Sequence, residues 1–106
     1  MSEQLPEVLN LPKILQVQTG AVVSRTLINQ KTGTVTLFAF DKNEGLSEHT
    51  APYDASVYVV EGEMKITISS ISYELKAGDL IIMPANQPHA LNAITPTKML
   101  LVMIRS

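Results

Sequence analysis

The sequence predicts an all-β protein, a sandwich or barrel of short strands. Three observations lead to that class. From Ala21 onward apolar residues recur with a period of two. Turn signals built on Gly, Asn, Asp and Pro interrupt them about every ten residues. No stretch sustains the periodicity of an amphipathic helix.

The elements follow in order. Residues 1–20 read as irregular, because Pro6 and Pro12 oppose a long helix, while Leu5, Val8, Leu9 and Leu11 suggest a segment that docks on the rest. Thr34 to Phe40 concentrates the β-branched and aromatic residues of a strand, between a turn at Lys31-Thr32-Gly33 and another over Asp41 to Gly45. Val57 to Val60 is a short apolar strand that turns at Glu61-Gly62-Glu63. Met64 to Ser69 and Ile71 to Lys76 each alternate as half-buried strands do. After a turn at Lys76-Ala77-Gly78-Asp79, Leu80 to Met83 is fully apolar and closes at Pro84. Lys98 to Ile104 is apolar on both parities, so both of its faces are expected to be covered. No linker, charge run or low-complexity segment divides the chain, and 106 residues make one domain.

Composition narrows the function classes. A net charge of −2 with scattered basic residues leaves no basic face for nucleic acid. The longest apolar run, Met99 to Ile104, is far short of the ~20 residues a membrane helix needs. The chain has no cysteine, which excludes a disulfide framework, a thiolate metal site and a Cys nucleophile. Together with an N-terminus lacking an apolar signal core, this fits a cytoplasmic location. Hydrophobic residues make up 45% and charged residues 17%, which is lean in charge for a small chain and points to apolar surface covered in an interface. The two-sided C-terminal strand and the docking N-terminal segment suggest a homodimer.

His49 and His89 are the only histidines. Imidazole is the commonest metal ligand and the usual proton carrier near neutral pH. Forty positions apart, on separate strands, the two rings could converge in a barrel. The plainer reading of each is a polar residue at a strand end with a local hydrogen bond. Asp54 could supply a carboxylate or orient an imidazole, though a turn residue after Pro52 is the common role. Tyr58 has the parity opposite to His49 and should point outward, whereas Tyr53 shares its parity. Glu48 and Asp79 read as solvated turn residues. There is no Gly-x-Ser-x-Gly elbow, phosphate loop or dinucleotide fingerprint.

The spacing of Gly62, Gly78, Pro84 and His89 resembles that of the cupin superfamily. In "GDLIIMPANQPHALNA" the glycine, the proline and the histidine stand at the positions of the second cupin motif, with Asn86 in place of its second glycine and Ala93 at its final Asn. In the first motif His49 takes the first ligand position, Ala51 the second and Ala55 the third, and Asn43 replaces the opening glycine. The strings "SRTL", "TLFAFD", "LSEHTAP" and "MPANQPHALNA" are similar to those of short single-domain cupins without an assigned activity. The resemblance covers Gly33 to Ile104 and implies a double-stranded β-helix, or jelly-roll, barrel of two antiparallel sheets. It also implies inward-facing ligands at the barrel mouth and a dimeric assembly.

The family's metal is usually held by three histidines and a carboxylate, and this chain keeps two of the four positions. Two imidazoles hold a divalent ion such as zinc, nickel, iron or manganese weakly, and Asp54 is the one candidate to extend the set. The alanines instead widen the mouth. With His49 and His89, the expected lining is Ala51, Tyr53, Ala55, Val57, Val59, Met83 and Leu91, with some of Met99, Leu101 and Met103. That is an apolar cleft with two polar groups, the usual form of a small-molecule pocket. The leading expectation is therefore a small-molecule-binding protein: a sensor, a carrier or an accessory subunit. The alternatives are a metal-dependent dioxygenase or isomerase using His49 and His89, and a metal-free acid–base isomerase. In the last, either histidine is the base, Asp54 orients it and Tyr53 is the acid.

Overall fold

The structure, a computed structural model, describes residues 6–105; Leu5, expected to help dock the N-terminal segment, lies outside them. The described residues form one short helix, α1 (Leu11–Ile14), and nine strands. The strands are β1 (Val22–Gln30), β2 (Gly33–Phe40), β3 (Gly45–His49), β4 (Asp54–Glu61), β5 (Glu63–Ile68), β6 (Ile71–Lys76), β7 (Leu80–Met83), β8 (His89–Ala93) and β9 (Thr97–Ile104). A larger sheet has the order β1-β2-β9-β4-β7 and a smaller one the order β3-β8-β5-β6. Every paired neighbour runs antiparallel. This is the all-β, two-sheet barrel expected from the sequence, with β1 joining the larger sheet ahead of Gly33. No helix among the described residues is long and apolar enough to cross a membrane.

The period of two decides which side chains meet between the sheets. On β4, Ala55, Val57 and Val59 point inward, opposite Met103, Leu101 and Met99 of β9. Met64 and Ile66 of β5 face them from the smaller sheet, and these two with Phe40, Val57, Val59 and Met99 have no exposed surface. Each such side chain stabilises the fold by about 1.5–3 kcal/mol relative to exposure. β6 departs from the half-buried expectation. It is an edge strand, so Ile71 and Tyr73, on its inward parity, stay exposed and only Leu75 is buried. Alternation is local information, whereas a position at the sheet edge is tertiary.

Residues 11–14 form a single helical turn rather than irregular chain. Pro12 sits in its first turn, where no backbone donor is needed. Val8 does not dock and is fully exposed, but the segment around α1 covers one end of the larger sheet's outer face. There the Lys98 ammonium, 6% exposed, donates to the Pro12 carbonyl and lies 3.7 Å from a Glu61 carboxylate oxygen. Farther along, the Gly20 and Lys42 amides donate to Asp41 at 2.7 and 2.9 Å and hold its carboxyl below the usual carboxylate range.

The motif turns depend on backbone freedom. Asn43 and Asn86, which stand at cupin glycine positions, have φ of 69° and 67°, a left-handed conformation that Asn tolerates better than other side chains. Gly62 has φ 88°, and a Cβ there would overlap the Pro96 carbonyl oxygen and stand 2.7 Å from Thr97 Oγ1. Gly78 has φ 96° but open space around it. We predict that Gly78→Ala costs about 1–2 kcal/mol for the backbone alone. Gly62→Ala should cost roughly 3 kcal/mol or more, because overpacking adds to the same strain. Urea unfolding of the two variants checks the order, and equal losses would refute it.

Candidate functional site

The site forms where β3 and β8 lie side by side at one end of the smaller sheet. Their register pairs His49 with His89. The two rings meet edge to face, with centroids 4.3 Å apart and Nε2 atoms 3.0 Å apart. His89 is 7% exposed, while His49 is exposed at the mouth.

Each ring is held by its own backbone two residues upstream. His49 Nδ1 lies 2.7 Å from the Ser47 carbonyl and His89 Nδ1 lies 3.1 Å from the Gln87 carbonyl. A carbonyl oxygen can only accept, so both Nδ1 atoms carry hydrogen. Both Nε2 atoms then present a lone pair to the other, and two lone pairs at 3.0 Å repel. The arrangement is stable only with one proton between them, or with a ligand's donor or a cation in their reach. Burial, and then the charge of the facing His49, hold the His89 imidazole below the ordinary histidine value, while the Gln87 carbonyl acts the other way.

The other expected residues divide into three groups. Ala55, Met83 and Leu91 belong to the buried cluster, Ala55 paired with Met83 across β4 and β7, and Ala51 is half-buried. Val57 and Val59 are corrected: both have no exposed surface and are packed into the core below, so they offer a ligand nothing. Asp54 is corrected as well. It pairs with Ile104, whose parity is outward, and its Oδ1 accepts from the Ala85 amide at 2.9 Å. It braces the β7–β8 loop instead of reaching an imidazole. The acid–base isomerase constellation loses its orienter, because backbone carbonyls occupy both Nδ1 atoms. Tyr58 points outward as its parity requires.

Sequence reading missed Arg105. It follows Met103 on the inward parity, just past the strand, and its guanidinium lies 5.7 Å from the Tyr53 ring centroid. Its Nε is shielded from water and has no hydrogen-bond partner among the described residues. The signal was the basic residue next on the inward parity of the last strand.

The chain's relationships agree with this geometry. The sequence profile of the family described as Cupin domain matches residues 36–105. The chain belongs to the cupin family. A conserved protein of unknown function from Streptococcus pyogenes is 34% identical, with a TM-score of 0.91 over 98% of this chain and 91% of that one. A cupin 2 conserved barrel domain protein from Leptotrichia buccalis is 37% identical, with a TM-score of 0.87 over 91% of this chain and 47% of that one. A cupin superfamily protein from Desulfitobacterium hafniense is 25% identical, with a TM-score of 0.88 over 98% and 97%. None of the curated proteins matches this chain.

Cupins often hold a metal, so the donor set bears on chemistry. No group of three His, Cys, Asp or Glu side chains comes together among the described residues. The two Nε2 atoms converge, but methyl groups stand at the other cupin ligand positions, Ala51 and Ala55. A catalytic zinc site keeps three protein ligands and a non-haem iron site adds a carboxylate to two histidines. This cupin's own side chains do not fit a resident metal of either kind.

The His89 shift has a consequence for stability. A lowered value in the folded state means that the folded chain binds fewer protons than the unfolded chain. That contribution is complete above 6.5, the unperturbed value. It is lost as pH falls through 6.5 toward the lower folded value. Between about pH 7.5 and pH 5.5 the urea midpoint of the wild type should therefore fall more than that of His89→Gln. Parallel declines in the two proteins would contradict the assignment.

Proposed function

We propose that this cupin binds a small organic acid at the barrel mouth and needs no metal to do so. The observation that carries the reading is the facing pair of Nε2 atoms, each with its Nδ1 spent on a carbonyl. An organic acid brings its own proton to the pair: the ring that takes it donates to the carboxylate, and an acidic hydroxyl donates to the neutral ring. Either replaces a contact between two like lone pairs by a charge-assisted one. Ala51, Ala55, Met83 and Leu91 offer an apolar floor for the rest of the molecule. Such a protein serves as a sensor, a carrier or an accessory subunit.

A second reading, a metal-dependent enzyme, draws on the same convergence of the two Nε2 atoms. There the two imidazoles would hold one side of an ion and the substrate would provide the remaining donors.

One experiment separates the two. Untagged protein is analysed for metal, and the metal-free form is titrated with acetate, pyruvate, benzoate and phenylacetate while the histidine ring proton resonances are followed by NMR. Saturable shifts of both histidines by at least one acid, weakened about tenfold or more in His49→Ala and in His89→Ala, are expected; tenfold corresponds to about 1.4 kcal/mol. No response to any acid, together with near-stoichiometric metal that rebinds tightly, would replace this reading by the metal-dependent one.

A further inference from the structure

The two sheets part along one side of the barrel, where β6 and β7 are edge strands joined by the Gly78 turn. The four edge strands among the described residues are not alike. β1 is bulged between Thr26 and Ile28, the register of β3 breaks between Leu46 and His49, and β7 is four residues long. Bulges, breaks and shortness blunt an edge against further pairing. β6 has none of these, and its six residues pair with β5 rung for rung. Its free main-chain groups can be assigned. Lys76 pairs with Glu63, but the Glu63 amide and carbonyl are spent on the other side, on Thr95 Oγ1 and the Ile94 amide. The Lys76 amide donates instead to Asp79 Oδ2 at 3.0 Å, and its carbonyl accepts from the Asp79 amide at 2.9 Å. Lys76 therefore turns its main chain away from β5, and with a period of two Glu74 and Ser72 do the same. Asp79 takes the first place of a missing neighbour strand, and the next two places are open.

We infer that an extended segment of a partner protein, with alternating apolar and basic residues, adds to β6 as a further strand of the smaller sheet. This site is separate from the acid-binding mouth, and neither histidine lines the cavities beside β6. Main-chain hydrogen bonds to Ser72 and Glu74 supply affinity, and the side chains along the edge set the sequence that fits. On the inward parity Tyr73 is 43% exposed and Ile71 59%. Tyr73, Leu75, Leu80 and Ile81 line a cavity of about 280 Å³ that takes the apolar row of the segment. An adjoining cavity of about 260 Å³ takes the basic row, since Glu63, Glu74 and Asp79 line it with Lys76 as the one cation in the lining. The same charge selects against a second copy of this chain. Its own β6 edge would bring Glu74 and Asp79 toward the acids already there, and like charges across a strand pair are unfavourable.

Amide NMR on the whole chain tests the inference with a defined probe, an acetylated and amidated hexapeptide that alternates lysine and valine. Saturable shifts at Ser72 and Glu74, with slowed hydrogen exchange of both amides, are expected. A fully N-methylated form of the same peptide, which cannot donate main-chain hydrogen bonds, should bind about tenfold or more weakly. So should the counterpart with glutamate in place of lysine. These controls use the unaltered protein. Ser72→Pro removes one donor from an edge strand, where proline is tolerated, and should weaken the lysine peptide about as much. Glu74→Lys should narrow or reverse the preference between the two charged peptides. No saturation, shifts that leave Ser72 and Glu74 untouched, or equal binding of the N-methylated peptide would overturn the proposal. A wild type that sediments at twice 11.6 kDa while Ser72→Pro runs at the mass of one chain would assign the edge to a second copy, and would overturn it as well.

Discussion

Strands β4 and β9 lie side by side in the larger sheet, and the ladder between them sets the position of almost everything else. Its register places Ala55 beside Met103, Val57 beside Leu101 and Val59 beside Met99 on the inner face. The first pair underlies the barrel mouth and the last is deep in the core. On the outer face the same ladder aligns Ser56 with Val102 and Tyr58 with Leu100. A slip of one residue would exchange the two faces, exposing the core row and burying Asp54 and Tyr58. The site, the core and the apolar outer face are thus three readings of one register.

The mouth shows how a family's metal position can change character through few substitutions. Alanine at two ligand positions removes polar atoms that would otherwise need partners, so nothing in the fold is left unsatisfied by the loss. The two remaining imidazoles stay in place because each is tied to its own main chain and not to the missing ligands. The family's orienting geometry survives, while its donor count does not.

Much of the fold was legible because strands announce themselves locally. Alternation over Met64 to Ile68, turns at Gly62 and Gly78, and the apolar run closed by Pro84 each mark an element with no reference to the rest of the chain. Simple parity also placed Tyr58 outside. What stayed hidden depends on neighbours distant in sequence. The exposure of Ile71 and Tyr73 follows from β6 lying at an edge, and the full burial of Val57 and Val59 follows from Met64 and Ile66 arriving across the barrel. The tautomer of the histidines was equally out of reach, since it depends on two backbone carbonyls and not on any side chain. Arg105 was missed because its one signal, inward parity just past the last strand, rests on a single residue.

The seating of β3 bears on how the mouth opens. This five-residue edge strand has β8 as its one paired neighbour, and the register between them breaks between Leu46 and His49. Its first end is anchored, since the Asn43 amide donates to the Ala93 carbonyl and the Ala93 amide to the Glu44 carbonyl. Toward its far end the ties are the imidazole contact and the Asn86 amide on the Ala51 carbonyl. Edge elements with few partners open at lower free energy than strands paired on both sides. His49 is thus carried by the more weakly tied edge strand and His89 by a strand paired on both sides, so β3 is the side of the mouth that yields first.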